Sequence, residues 1–279
     1  MRGSASACSV PSGAGKTTTV SMLTGTSPVT DGTLRVGEFD VVRQPRAVKR
    51  TLGVVPQEDN LDPDLPVHQN LEVYARYYGM SKRESGPRID NALELFHLTE
   101  KADEPVDALS GGMKRRLTIA QALVHDPKIL VLDEPTTGLD PQARHLVWQQ
   151  LRALKARGVT MLLTTHYMEE ASHLCDRLMV MNEAKIVAHG RPLDLIVEHA
   201  GRGVLEARLN EAELANLRAR LDGSAGASIE EVEDLMYVFG GDGVATQFAA
   251  EIDDPYRAFV RPGTMEDVFL RLTGRGLLD

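Results

Sequence analysis

Leu109-Ser110-Gly111-Gly112-Met113-Lys114-Arg115-Arg116-Leu117, with Ile129-Leu130-Val131-Leu132-Asp133-Glu134-Pro135 close behind it, decides how the chain is read. In the first stretch a serine and two glycines open a helical pattern in which Leu117, Ala120 and Val124 recur at three- and four-residue spacing. A helix that starts this way offers a hydroxyl and free backbone N–H groups to an anion. The second stretch is a short apolar run that predicts a fully buried strand ending in two adjacent carboxylates. Carboxylates at the end of a buried strand are costly unless they hold a metal or a reacting water. Together, the anion-binding helix start and the acidic strand end predict a nucleotide and its magnesium.

Working outward, Val10-Pro11-Ser12-Gly13-Ala14-Gly15-Lys16-Thr17-Thr18 is most of the phosphate-loop pattern G-x-x-x-x-G-K-[ST], with Val10 where the first glycine belongs. Gly13 and Gly15 permit the turns that aim N–H groups at phosphate oxygens, Lys16 can reach the terminal phosphates, and the Thr17 hydroxyl can ligate magnesium. Thr18 to Leu23 continues as a helix whose positive end faces the phosphates. Thr33 to Val36 and Thr51 to Val55 read as short strands, the second followed by Gln57. A helical block runs from about Val67 to Glu100. Leu71, Tyr74, Ala75 and Tyr78 form one apolar stripe and Ile89, Leu93 and Phe96 another, with Gly86-Pro87 expected to separate the two helices. The tyrosines at 74, 77 and 78 predict core or a docking face rather than a ligand box.

Beyond Glu134, a turn through Asp140 opens a helix over Gln142 to Arg157, and Val159 to Thr165 is a buried strand closing on His166. In parallel sheets ligands sit beyond the carboxyl ends of the strands, which makes His166 a site candidate. Arg177 to Met181 and Lys185 to His189 read as a final strand pair. From about Pro192 a small appended α/β unit is expected, and Gly240 to Gly243 read as a turn with no helix start after it.

Composition sets the class. A chain of 279 residues with 42% hydrophobic and 25% charged residues is an ordinary globular protein. The net charge of −9, from 40 acidic against 31 basic residues, gives no electrostatic case for nucleic acid as a partner. Cys8 and Cys175 are too few for a disulfide framework, so a reducing, cytoplasmic setting is expected. No run approaches the ~20 apolar residues of a membrane helix, and any membrane role is expected to pass through a partner. The first nine residues lack the apolar core of a signal peptide.

Taken in order, these residues resemble the nucleotide-binding subunit of ATP-binding cassette (ABC) transporters over the first two thirds of the chain. The match comprises the Walker A loop ending in Gly15-Lys16-Thr17, the Q-loop at Gln57, the signature Leu109 to Met113, Walker B ending in Asp133, the adjacent Glu134, the D-loop at Asp140 and the switch histidine His166. Met113 departs from the usual glutamine. Ser-Gly-Gly-Met-Lys-Arg-Arg-Leu, with the segments Asp140 to Trp148 and Met265 to Arg275, is similar to the branch of nodulation-factor and daunorubicin-type drug exporters.

The resemblance implies an α/β P-loop NTPase core, an ABC ATPase domain over 1–190 with a helical subdomain inserted at about 58–125, and a small α/β appendage over 191–279. It implies ATP and Mg²⁺ as cofactors. Ser12, Gly13, Ala14, Gly15, Lys16, Thr17 and Thr18 of one copy would hold ATP while Ser110 and Gly112 of a second copy, with Gly111 and Asp140 beside them, would cover it. Thr17, Gln57 and Asp133 would hold the metal, Lys16 would offset phosphate charge, Glu134 would polarise water and His166 would contact the γ-phosphate. The implied partner is a separate ABC-2-type permease, with the ATPase dimer on the cytoplasmic face of the inner membrane. Implied cargoes are nodulation-type lipo-oligosaccharides, with drugs or other amphiphiles as the alternative. A soluble cassette ATPase and a catalytically impaired remnant remain the other readings.

Three family features are missing near the start: the first loop glycine, the strand leading into the loop, and the aromatic that stacks on adenine. The family's Gly-Glu-Cys-Phe-Gly-Leu-Leu-Gly-Pro, written in GC-rich codons and read one base later, gives Gly-Ser-Ala-Ser-Ala-Cys-Ser-Val-Pro, which is Gly3 to Pro11. The expectation is an out-of-frame or shortened N-terminus and a weakened fold there.

Overall fold

The computed structural model describes residues 5–9, 15–221, 227–232, 234–240, 242–252, 254 and 256–273. Contacts divide the chain into two units, 1–176 and 177–279.

The first unit begins with β1 (Ala5–Ser9), α1 (Lys16–Thr24), and the two-residue strands β2 (Arg35–Val36) and β3 (Phe39–Asp40). Then come α2 (Pro45–Thr51) and β4 (Leu52–Val55). The helices α3 (Val67–Tyr77), α4 (Lys82–Leu95) and α5 (Gly111–Leu123) precede β5 (Ile129–Asp133), α6 (Pro141–Ala156), β6 (Thr160–Thr165) and α7 (Met168–Leu174). Strands β4, β5, β6 and β1 lie side by side in that order, all parallel, with Leu52 opposite Ile129, Ile129 opposite Thr160 and Ala5 opposite Met161. Parallel strands are covered on both faces, which is why Leu130, Val131 and Leu132 are almost fully buried in succession. Beside the sheet, Val20, Val36, Val41, Val48 and Leu52 pack with Val131 into one apolar cluster.

The expected absence of a strand before the phosphate loop is overturned. Ala5–Ser9 forms β1 and pairs along its length with Met161 to Thr165. Alanine and serine carry little strand propensity of their own, and the ladder with β6 sets the conformation.

The helical block packs α3, α4 and α5 against one another. Gly86-Pro87 does not separate its helices; both residues lie inside α4. Ser81 starts that helix with a capping box, Ser81 N–H donating to Glu84 Oε2 at 2.9 Å and Glu84 N–H to Ser81 Oγ at 3.4 Å. Pro87 then falls in the second turn, where it forgoes a single intrahelical bond. The actual break is at Gly79, whose φ of 74° ends α3. At the base of the block the Tyr78 ring stacks on His125 at 3.7 Å and the Tyr74 and Tyr78 hydroxyls meet at 3.2 Å, so these tyrosines are packing residues, whereas Tyr77 is exposed.

In the second unit β7 (Arg177–Asn182) and β8 (Lys185–Gly190) form an antiparallel hairpin. After α8 (Pro192–Leu195), β9 (Gly203–Ala207), α9 (Glu211–Leu221), β10 (Ser228–Val232), β11 (Leu235–Phe239), α10 (Asp242–Glu251), β12 (Ala258–Pro262) and α11 (Met265–Thr273) complete the chain. An antiparallel sheet in the order β10-β11-β9-β12 packs Leu205, Val238 and Ala258 against Leu217 and Phe248 of its helices. A helix does follow Gly240, since α10 starts at Asp242, which corrects the expectation of a bare turn. Among the described residues no helix is long and apolar enough to cross a membrane.

Candidate functional site

Three neighbouring strands deliver their next residues to one place. Gln57 follows β4, Asp133 and Glu134 close β5, and His166 follows β6. The focus is the Glu134 carboxylate, with 12% of its side chain exposed. Lys16 Nζ donates to its Oε1 at 2.9 Å, and Thr137 Oγ1 to its Oε2 at 3.1 Å. His166 Nδ1 lies 3.3 Å from Oε2, and Gln57 Nε2 reaches the same oxygen at 3.5 Å. Burial pushes the Glu134 carboxyl up, but the hydrogen bond and charge of Lys16, with His166 and the Thr137 hydroxyl, outweigh it and hold the group below its usual range.

The backbone contributes to this placement. Glu134 has φ of 46°, uncommon for a residue with a Cβ, and its N–H is held by Thr164 O at 3.0 Å and Thr164 Oγ1 at 3.2 Å. The Thr164 hydroxyl also donates to Asp133 Oδ1, fixing a carboxylate that is 6% exposed. Behind the site, Glu170 of α7 accepts Thr136 Oγ1 at 2.8 Å and Trp148 Nε1 at 3.0 Å.

Lys16 is the first residue of α1, and Gly15 caps that helix at φ 96°, a left-handed conformation that favours glycine. Thr17 and Thr18 are exposed at the same helix start. Ser12, Gly13 and Ala14 lie outside the described residues. The first turn of α1 carries no acidic residue of its own, so its N–H groups offer positive charge to an anion, while the Lys16 ammonium is paired with Glu134.

Ser110, Gly111, Gly112 and Asp140 form a second group. Ser110 caps α5 by accepting Met113 N–H at 3.3 Å, and Asp140 caps α6 by accepting Ala143 N–H at 2.9 Å. The two helix starts share a cavity of about 420 Å³. A Cβ on Gly112 would lie 3.1 Å from Ala143 Cβ, so the small residue lets these starts approach. Among the described residues, no side-chain hydrogen bond or ion pair joins this group to the one around Glu134.

Sequence reasoning missed Arg115. Its side chain is buried and donates to five backbone carbonyls: Nε to Pro135 at 2.7 Å, Nη1 to Pro56 at 2.5 Å and Gln57 at 3.2 Å, Nη2 to Asp133 at 2.9 Å and Glu134 at 3.0 Å. A signal was present, because Arg115 lies four and seven residues before Ile119 and Ala122, both buried on the same helix.

The donor set bears on the metal. Among the described residues no three His, Cys, Asp or Glu side chains form a cage that could hold one. Magnesium takes one or two carboxylates and completes its shell with waters and phosphate oxygens, so a threonine hydroxyl, a glutamine and a single buried aspartate fit a metal that arrives with its nucleotide.

Comparison with known proteins agrees with this geometry. Residues 7–137 match the family model described as ABC transporter. Over 276 residues the chain is 48% identical to Nod factor export ATP-binding protein I of Paraburkholderia xenovorans (strain LB400), covering 96% of this chain and 88% of that protein. It is 47% identical to the protein of the same name from Mesorhizobium japonicum, covering 95% and 77%. Among solved structures it is similar to an ATP-binding subunit of an ABC transporter, with a TM-score of 0.64 and 27% identity over 79% of this chain and 89% of that one. It is also similar to a dimeric ATP-binding cassette in a post-hydrolysis state bound to ADP and Pi, with a TM-score of 0.61 and 26% identity over 68% and 86%. The strand-end cluster around Glu134, the capped signature helix and these relatives agree: the chain belongs to the ATP-binding subunits of ABC transporters and is a P-loop ATPase of that family.

Proposed function

We propose that two copies of this chain pair head to tail, hydrolyse ATP with Mg²⁺ at the Glu134 cluster, and drive export through a separate ABC-2-type permease at the cytoplasmic face of the inner membrane. The observation that carries the reading is the convergence of Lys16, Gln57, Thr137 and His166 on one carboxylate at the ends of parallel strands. Ser12 to Thr18 cradle the phosphates, and Lys16 exchanges its bond to Glu134 for the terminal phosphate. Thr17, Gln57 and Asp133 hold the magnesium. Magnesium, when bound, supplies positive charge to the phosphate oxygens. Glu134, ionised at neutral pH because its neighbours hold its pKa down, accepts a proton from the attacking water. His166, on the same carboxylate, is placed to donate to the γ-phosphate.

Pairing is supported by the separation of the two site groups within one chain and by the dimeric cassette that the chain resembles. Ser110, Gly111, Gly112 and Asp140 then complete the site of the second copy, two helix starts closing on the phosphates. The catalytic unit reaches residue 190 with the helical block over 58–125 inserted in it, and 191–279 is an appendage. Coupling to the permease runs through the segment after Gln57. There Asn70 donates to Asp62 O at 3.0 Å and Leu65 O at 3.2 Å and accepts Asp62 N–H at 2.8 Å, which fixes the loop to α3. The names of the relatives make a Nod-factor-like lipo-oligosaccharide the first cargo to test.

Glu134→Gln keeps the shape of the cluster and removes its charge. Freed from the carboxylate, Lys16 should bind ATP roughly tenfold tighter, about 1.4 kcal/mol, while turnover falls at least ~100-fold and a dimer accumulates on gel filtration with ATP. Hydrolysis at the wild-type rate would remove Glu134 from its role.

A further inference from the structure

We propose that Arg115 is a positioning residue that ties the signature helix serving the second copy's ATP to the glutamine and glutamate of its own site, making the two sites of the dimer mechanically interdependent. The inference rests on the reading above, in which Gln57 and Glu134 serve hydrolysis and two copies pair.

Everything around Arg115 is unusual for a buried cation. Among the described residues its guanidinium pairs with no carboxylate at hydrogen-bonding distance, and its hydrogen bonds there all end on main-chain oxygens. The neighbouring phase of the helix is filled by Ile119 and Ala122, so an apolar residue at 115 would complete the face without desolvating a charge. Burial pulls the guanidinium below its usual range, and the negative field of Glu170, Asp133, Asp59 and Glu134 opposes that loss.

The five acceptors fall in two segments only. Pro56 and Gln57 are the exit of β4, and Asp133, Glu134 and Pro135 are the exit of β5. A guanidinium is a rigid planar fork, so one side chain fixes the spacing of these exits and the height of both relative to α5. On that helix Ser110 is the N-cap, five residues before Arg115, about 7.5 Å along the axis at 1.5 Å per residue. A displacement of Ser110 that follows closure on the second copy's phosphates is therefore passed to the backbone of Gln57 and Glu134 through the single Arg115 side chain, which is held at all three of its nitrogens. At Glu134, whose φ is left-handed, the carbonyls on both sides of the N–Cα bond, those of Asp133 and Glu134, are held by Arg115 Nη2. A misplacement of ~1 Å at a reacting group costs on the order of 100-fold in rate.

The test measures ATP turnover of the full chain for wild type, Arg115→Lys, Arg115→Gln and Glu134→Gln, with ATP affinity and melting temperature followed in parallel. Lysine keeps the charge but replaces the fork with a single nitrogen. The expected result is a fall in kcat of roughly 10- to 100-fold for Arg115→Lys with KM for ATP within about threefold of wild type. The Hill coefficient for ATP should drop towards one. Glutamine, with two donors against the ammonium's three and an oxygen that would face the same carbonyl oxygens, should lose at least as much as lysine. Wild-type kcat and Hill coefficient in Arg115→Lys, with Glu134→Gln inactive, overturn the inference and leave the proposed function intact. A lower melting temperature in Arg115→Lys with kcat unchanged also overturns it, since the residue then serves only the fold. Equal turnover by wild type and Glu134→Gln removes the reading of the site and this inference with it.

Discussion

Glu170 has no exposed surface and stands between Thr136, two residues past Glu134, and Trp148 of α6, both of them buried donors. Alanine at 170 strands both donors at about 1–3 kcal/mol each and leaves a cavity worth about 1 kcal/mol more, so Glu170→Ala should destabilise the first unit by roughly 3–7 kcal/mol. Glutamine keeps an acceptor oxygen at the same place, and Glu170→Gln should cost less than about 1 kcal/mol. The two variants also separate by pH. Burial holds the Glu170 carboxyl above its usual range, against the hydrogen bonds of Thr165, Thr136 and Trp148 and the charge of Arg144. A carboxyl whose folded pKa exceeds its unfolded value, about 4.3, contributes stability that is complete below the unfolded pKa and lost as pH rises towards the folded one. Wild type should therefore lose ground against Glu170→Gln as pH rises from 5 to 8. Trp148 is the chain's only tryptophan, so urea titration followed by its fluorescence reads this unit directly. A Glu170→Ala cost below about 1 kcal/mol, or a gap between wild type and Glu170→Gln that is flat with pH, would refute the reasoning.

Two further changes probe the base of the site. A Cβ on Gly53 of β4 would lie 2.4 Å from Ala122 O and 2.9 Å from Pro127 Cγ, neither of which can swing away; Gly53→Ala should cost about 1–3 kcal/mol by urea titration and lower kcat, because β4 leads straight to Gln57. His125 Nε2 donates to Leu52 O at 2.9 Å, and burial holds its pKa below the usual range. Its contribution is present above about pH 6.5 and lost as pH falls towards the depressed value, so the stability difference between wild type and His125→Gln should shrink from pH 8 to pH 5.

The site was legible where chemistry sits on side chains at strand ends. Asp133 and Glu134 announce themselves because two carboxylates follow an apolar run, and Gly15-Lys16-Thr17 because only phosphate binding needs that order. What escaped is carried by the backbone. β1 is written in alanine, serine and one cysteine, with no large apolar residue to mark an alternation, so only the ladder with β6 reveals it. Gly86-Pro87 reads as a break until the capping box at Ser81 shows that the helix has already begun. The Lys16–Glu134 bond joins residues 118 positions apart, and nothing local foretells it. Arg115 was hidden differently, its partners being carbonyl oxygens that every residue possesses.

That choice of partner has a genetic consequence. Because the acceptors at 56, 57 and 133–135 are main-chain oxygens, no change of side chain at those positions can recreate what a substitution at 115 removes. A selection for restored transport in an Arg115 variant should return true revertants, or suppressors that place a new donor from another element, and none that act by exchange at the contacted residues.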